Sequence, residues 1–444
     1  MPYIPHTEED RREMLQTIGV DSIDDLFREI PESLRLREQL NLPPALDEHR
    51  LLAHLFGIAG KNTNLLSDAV CFLGAGIYDR YIPATVGAVI SRGEFLTAYT
   101  PYQPELSQGY LQTIYEFQSM VAELYGMDLA NASMYDGATS MAEAAILAYG
   151  VNGRKRVVVS EAVHPHYRQV LETYCWSMDL EVAVAPHREG LTSADKLDSE
   201  TACLIVQYPN FFGVIEDLRA ARRAADAVGA MLIVVADPIA MGLLPPPGQL
   251  GADIVVGEGQ PLGIAMGFGG PMLGLFACNK DLVRRIPGRI VGRTTDHDGN
   301  PGFVMTLRTR EQDIRREKAT SNICTNEALM ALAATVYMSA LGKNGIRSVA
   351  ESTVRGTQYA MRRLAEAGGR VRFGDRRVFG EFVLELPRDA AIVQRELLDQ
   401  GILAGLPLGP YYAGMENCLL VAVTELRTKA QIDDYAQRLR AALA

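Results

Sequence analysis

No stretch of this sequence approaches the roughly 18 consecutive apolar residues of a membrane-crossing helix. The opening MPYIPHTEEDRREML lacks the basic start and apolar centre of a secretory signal, so none is expected. Cysteine is sparse. The six that occur (Cys71, Cys175, Cys203, Cys278, Cys324 and Cys418) are scattered and form no CxxC pair. That pattern speaks against a disulfide framework or a zinc site and fits reduced thiols in a cytoplasmic protein. The seven histidines are equally dispersed, and the close pair His164 and His166 flanks a proline, so no metal centre is expected. Excess positive charge is also lacking. A net charge of −11 argues against a nucleic-acid partner, whose phosphates demand clustered Lys and Arg, but permits a local basic patch.

What is present suits a globular protein with a large core. The 444 residues are 48% hydrophobic and 22% charged, enough for one large domain and a smaller one. Residues 1–60 read as a helical segment, with Thr7 and Ser22 as N-caps; the second helix would carry Ile23, Leu26, Phe27 and Ile30 and stop at Pro31. Over residues 61–345 short apolar runs alternate with helical patterns. RVVVS (156–160), CLIVQ (203–207), MLIVVA (231–236), DIVV (253–256) and MLGLFAC (272–278) read as buried strands, and Leu218 to Val228 as a helix. Such alternation predicts an α/β fold with a mainly parallel sheet, whose ligands bind at the strands' carboxyl ends. Residues 346–444 predict a small α+β domain. Its long helix runs from Gly345 to about Ala367, followed by a strand at 378–386, a helix at 390–400, a strand at 418–426 and a closing helix that Thr428 and Gln431 cap.

Several residues invite a chemical reading. In NASMYDGATSMAE (131–143) a polar turn enters an alanine-rich helix. The free amides and positive dipole end of such a helix suit a phosphate, with Asp136, Gly137, Ala138 and Thr139 as the cradle. Taken alone, the motif reads first as a capped helix with a tight turn. Asp237 ends the apolar run MLIVVAD, where a carboxylate can pair with a pyridinium nitrogen or simply cap a helix. His164 follows RVVVS and can stack on a flat ring or be an ordinary loop histidine. In this order, with a glycine-rich segment following, they trace the layout of fold-type I pyridoxal phosphate enzymes. That layout requires a Schiff-base lysine shortly after the aspartate. GADIVVGEGQPLGIAMGFGGPMLG has none, and Gln260 stands 23 positions after Asp237 where the lysine is due.

FLTAYTPYQPELSQG (95–109), NASMYDGAT (131–139), GQPLGIAMGFGGP (259–271), RRIPGRIVG (284–292) and REQDIRREKATSNICTN (310–326) resemble signatures of the alpha, N-terminal-type, subunit of the glycine cleavage system P-protein. The resemblance runs over nearly the whole chain. In the beta-type half of that family a lysine lies about eleven residues before a Gly-Gly-Pro run; Gln260 lies 11 before Pro271, in the same register. An amide nitrogen is neither basic nor nucleophilic, so Gln260 cannot form the imine.

The resemblance implies a glycine dehydrogenase (aminomethyl-transferring) active only with a beta subunit, two alpha with two beta. Pyridoxal phosphate sits on the beta subunit, glycine loses carbon dioxide there, and the aminomethyl group passes to the lipoylated H-protein. This chain would complete the partner's cleft, without a catalytic residue of its own. Two segments are candidates: the stiff loop with Tyr99, Tyr102, Gln103 and Glu105, and the donors Thr320, Ser321 and Asn322. Each reads alternatively as a packing loop or a helix cap. Nine basic residues between Arg284 and Lys318 read either as a self-paired solvated helix or as a docking face for the beta subunit or an acidic carrier. The rival readings are a scaffold whose Asp136 to Thr139 turn, His164 and Asp237 are remnants, and a self-sufficient pyridoxal phosphate enzyme. The latter would need one of Lys61, Lys155, Lys196, Lys280, Lys318, Lys343 and Lys429, of which Lys280 and Lys318 lack the expected context.

Overall fold

A computed structural model describes residues 4–36, 38–65, 67–319, 321–323 and 325–444, in two compact units, Met1–Thr63 and Asn64–Ala444. In the first unit, Thr7 and Asp10 form a capping box that opens α1 (Glu8–Ile18), and Asp47 caps α2 (Glu48–Ala59). Ser22 is a cap as expected, but the helix it opens is a short 3-10 turn, Ile23–Phe27, and does not reach Ile30. Asp24 and Asp25 favour caps and turns over helix interiors, and nothing from this segment is buried to offset that preference.

The second unit is built on a seven-stranded sheet. In chain order its strands are β1 (Leu129–Ala130), β2 (Arg156–Ser160), β3 (Glu181–Ala185), β4 (Thr201–Tyr208), β5 (Met231–Ala236), β6 (Ile254–Glu258) and β7 (Gly274–Cys278). In space they run β1-β7-β6-β5-β4-β2-β3. β2 to β6 pair in parallel, while β7 is antiparallel to both β6 and β1. All five strands read from the sequence are present; the antiparallel sense of β7 was not legible, because a buried apolar run carries no direction.

Alternate residues of each strand face opposite layers. Val157, Val159, Cys203, Ile205, Ile233, Val235, Ile254 and Val256 pack with α4 (Gly137–Asn152) and α5 (Pro165–Ser177). Their neighbours Val158, Leu204, Val206, Leu232, Val234 and Val255 pack with α3 (Gln108–Tyr125), α6 (Leu218–Val228) and α7 (Ala328–Glu366). α7 begins well before the expected Gly345, since its first turns are buried on the sheet and only Gly342 (φ 58°) breaks the helical geometry.

The basic stretch is not the helix that was one of its readings. It forms a hairpin, β8 (Ile290–Thr295) with β9 (Pro301–Thr306), followed by single turns. Thr294, Thr295, Val291 and Val304 suit extended backbone, and Asp296 receives the turn amides of Asp298 and Asn300.

A second sheet, β10 (Arg370–Val371), β11 (Glu381–Glu385), β12 (Leu406–Pro407) and β13 (Cys418–Ala422) in the order β10-β11-β13-β12, carries α8 (Ala390–Leu398) and α9 (Lys429–Leu443) around its own core. Phe211 and Phe212, from the loop after β4, join that core, so this loop is fixed from both sides.

Gly274 lets α4 lie close on the sheet. A β-carbon there would come 2.4 Å from Met134 Cβ and Ser140 Oγ. Gly274→Ala is expected to cost about 1–3 kcal/mol, read as a lower urea midpoint with an unchanged m-value.

Candidate active site cleft

The candidates on the larger sheet do converge. Asp237 directly follows β5, Gln260 follows β6 by two residues, His164 lies past β2 at the start of α5, and Asp136 opens α4. With Gly76, Tyr78, Tyr167, Gln207 and Glu258, His164 and Asp237 line a cleft at the strands' carboxyl ends, with about 40 Å³ of water-sized space.

Asp136 Oδ1 accepts from Thr139 N at 2.7 Å and Thr139 Oγ1 at 2.8 Å, and Thr139 Oγ1 accepts from Asp136 N at 3.3 Å. The amides at the helix start were expected to be free, but two have partners inside the chain. Gly137 N donates at 3.0 Å to Glu258 Oε2. Glu258 Oε1 takes the amides of Gln260 (2.9 Å) and Leu273 (3.1 Å). Burial pushes the Glu258 carboxyl up to about 7 in spite of these three bonds, which favour the charged form.

His164 is a buried helix cap and not an open loop residue. Its Nδ1 accepts from His166 N (3.1 Å), so the proton is assigned to Nε2, which donates to Ala75 O at 2.8 Å. Burial lowers its pKa to about 4, so the ring is neutral. Its ring stacks on that of Tyr167, with centroids 4.8 Å apart and 24° between planes. Asp237 Oδ1 caps the next turn through Ile239 N (2.7 Å) and Ala240 N (3.1 Å).

Gln260 is 2% exposed, and its carboxamide is held by backbone on both sides. Oε1 accepts from Tyr78 N at 2.9 Å, while Nε2 donates to Tyr78 O (3.1 Å) and Ile264 O (2.8 Å). The segment it holds passes through left-handed backbone at Ala75 (φ 58°) and Gly76 (φ 94°). Glu381 ties the same segment from β11, accepting from Ala75 N (2.6 Å) and Tyr78 Oη (2.8 Å).

The partner-type candidates lie apart from this cleft in two groups. Tyr99 (78% exposed), Tyr102, Gln103 and Glu105 sit on an exposed loop. Arg289 fastens it, donating to Thr100 Oγ1 (3.2 Å) and Tyr102 Oη (3.3 Å); the guanidiniums of Arg289 and Arg308 lie 5.4 and 5.8 Å from the Tyr102 ring centre. Ser321 Oγ donates at 3.0 Å to Glu143 on α4, and Asn322 is exposed. Thr320 falls outside the described residues.

Glu258, Tyr78 and Glu381 escaped the sequence reading, whereas Arg289 was read only as one of the basic residues of 284–318. An acid closing the buried run DIVVGE was the one local signal, for Glu258. Tyr78 and Glu381 are 303 positions apart, and only folding makes them neighbours.

Strand order, covering helices and a cleft at the strand ends define the class: this is the fold-type I architecture of pyridoxal phosphate enzymes. Glutamate decarboxylase of Lactobacillus brevis (15% identical, TM-score 0.64, 92% of this chain and 95% of that one) and a NifS-like protein (13%, TM-score 0.62, 84% and 98%) share the fold. A family model described as "Glycine cleavage system P-protein" matches residues 1–439, and the chain belongs to that family. It is 52% identical over 441 residues to the "Probable glycine dehydrogenase (decarboxylating) subunit 1" of Anoxybacillus flavithermus, covering 98% of each chain. To the protein of the same name from Desulforamulus reducens it is 51% identical over 445 residues, covering 99% and 100%. The crystal structure of an inhibitor-bound glycine decarboxylase (P-protein) matches with TM-score 0.92 and 44% identity over 100% of both chains.

Two outcomes test this geometry. Gln260→Met keeps the volume but leaves Tyr78 N and O without partners, and a loss of about 2–4 kcal/mol on chemical denaturation is expected. Glu143, 3% exposed, is pushed up to about 7 by burial, with Ser321 pulling weakly the other way. The folded chain therefore holds this proton more tightly than the unfolded one, and stability falls as pH rises from about 4.5 to about 7. Glu143→Gln removes the titration, so its advantage over the unsubstituted chain should grow across that window by up to about 3 kcal/mol. A pH-independent difference would contradict the assignment.

Proposed function

We propose that the chain is the alpha subunit of a P-protein and works in an assembly with a beta subunit, two of each. The assembly decarboxylates glycine with pyridoxal phosphate and passes the aminomethyl group to the lipoyl arm of the H-protein. The carrying observation is Gln260, in the register of the lysine and bonded to backbone on both ends. Names of relatives such as "subunit 1" support the existence of a partner subunit.

The residues of this chain's cleft do not fit pyridoxal phosphate. Among the described residues no lysine lines the cleft, and the Gly137 amide is bonded to a carboxylate. The cofactor then belongs to the beta subunit, and no chemical step is assigned to the cleft of this chain. What this chain contributes is an ordered surface. The loop carrying Tyr99, Tyr102, Gln103 and Glu105 exposes aromatic area but is pinned by Arg289, so little entropy is lost when it meets a partner. Ser321 is likewise held by Glu143, with Thr320 and Asn322 beside it in sequence as further donors toward the partner's cofactor. Among the described residues no helix is long and apolar enough to cross a membrane, and a cytoplasmic location is part of the proposal.

Exchange of labelled bicarbonate into glycine tests the reading, measured with this chain, with a beta subunit, and with both. Exchange only in the mixture is expected. Exchange by this chain alone would refute it. In the mixture, Tyr102→Ala should lower turnover with assembly intact; loss of assembly alone would favour the scaffold reading.

A further inference from the structure

The absence of lysine explains why no imine forms, but not why the rest of the cleft is closed. We propose that this cleft rejects pyridoxal phosphate because it is filled from within, with Gln260 as a positioning residue that clamps segment 74–78 across it, so that a lysine at position 260 does not by itself create a cofactor site. The proposal rests on the preceding reading that the cofactor is held by the partner.

The helix start and one face of the histidine, which would receive the phosphate and the ring, already have occupants. The first amide of α4 is bonded to Glu258, a side chain 8% exposed, which also gathers the amides of Gln260 and Leu273. A phosphate there would meet the carboxylates of Glu258 and Asp136 in a poorly solvated site, where like charges repel strongly. The volume above that turn is taken as well: a β-carbon built on Gly137 would lie 2.5 Å from Tyr167 Oη and 3.0 Å from Glu258 N. One ring face of His164 is covered by Tyr167.

The remaining side is closed by segment 74–78. His164 Nε2 holds Ala75 O, Glu381 holds Ala75 N and Tyr78 Oη, and Gln260 holds both backbone groups of Tyr78. The carboxamide suits this clamp because it accepts and donates at once. A lysine ammonium has three donors and no acceptor, so it would leave Tyr78 N unpaired. The glutamine thus has a positive role, closing the cleft on the Tyr78 side.

Purified Gln260→Lys and Gln260→Lys/Glu258→Ala chains test this with pyridoxal phosphate as the probe. The readouts are the imine absorbance band and borohydride trapping on the introduced lysine. The single variant should bind little or none. The double variant, whose backbone amides at positions 137, 260 and 273 are released, should bind at least about tenfold tighter. Equal affinities would overturn the proposal and leave the partner-held reading standing. An imine in the unsubstituted chain would sink that reading first and this proposal with it. Should the double variant fail to fold, hydrogen exchange in Gln260→Lys decides: residues 74–78 should exchange at least about tenfold faster than in the parent chain, and unchanged exchange overturns the clamp.

Discussion

The Gln260 carboxamide and the Tyr78 backbone form a two-point amide pair, buried and 182 positions apart in sequence. Most of what surrounds the cleft depends on it. Gln260 can reach Tyr78 because β6 delivers it to the strand ends, and β6 is held in the sheet between β5 and β7. Tyr78 is within reach because Glu381 anchors the same segment from the smaller sheet. The pair therefore joins two cores that have separate sets of apolar contacts.

Burial sets the electrostatics of this region. Glu258 and Glu381 are both pushed up to about 7 by loss of water, although each accepts hydrogen bonds that favour its charge. A buried carboxylate without such bonds would be costly; here backbone amides meet it. The same amides would otherwise be available to an external anion. Satisfying the chain's own polar groups and keeping a ligand site open are competing uses of one set of donors, and in this chain the internal use prevails.

The loop around Tyr102 follows the opposite rule. Its aromatic residues remain exposed while its backbone course is fixed through Thr100, Arg289 and Arg308. A stiff, exposed aromatic loop loses little freedom on contact with another surface.

By itself the sequence determined what depends on local periodicity and on residue order. The apolar runs at β2, β4, β5, β6 and β7 and the caps at Thr7 and Thr428 were legible there, since strand patterning and capping are short-range effects. Family signatures then supplied the class of fold. Tertiary structure alone decided the sense of β7, the hairpin in the basic stretch, and above all the use made of the candidate residues. Asp136 turned out to cap α4, Asp237 to cap a turn, and His164 to cap α5 and stack on Tyr167. Glu258 and Tyr78, unremarked in the sequence, hold the cleft closed. The reason is physical: a hydrogen-bonding group's partner is fixed by which distant segments the packed core brings within about 3 Å, and no local pattern encodes that choice.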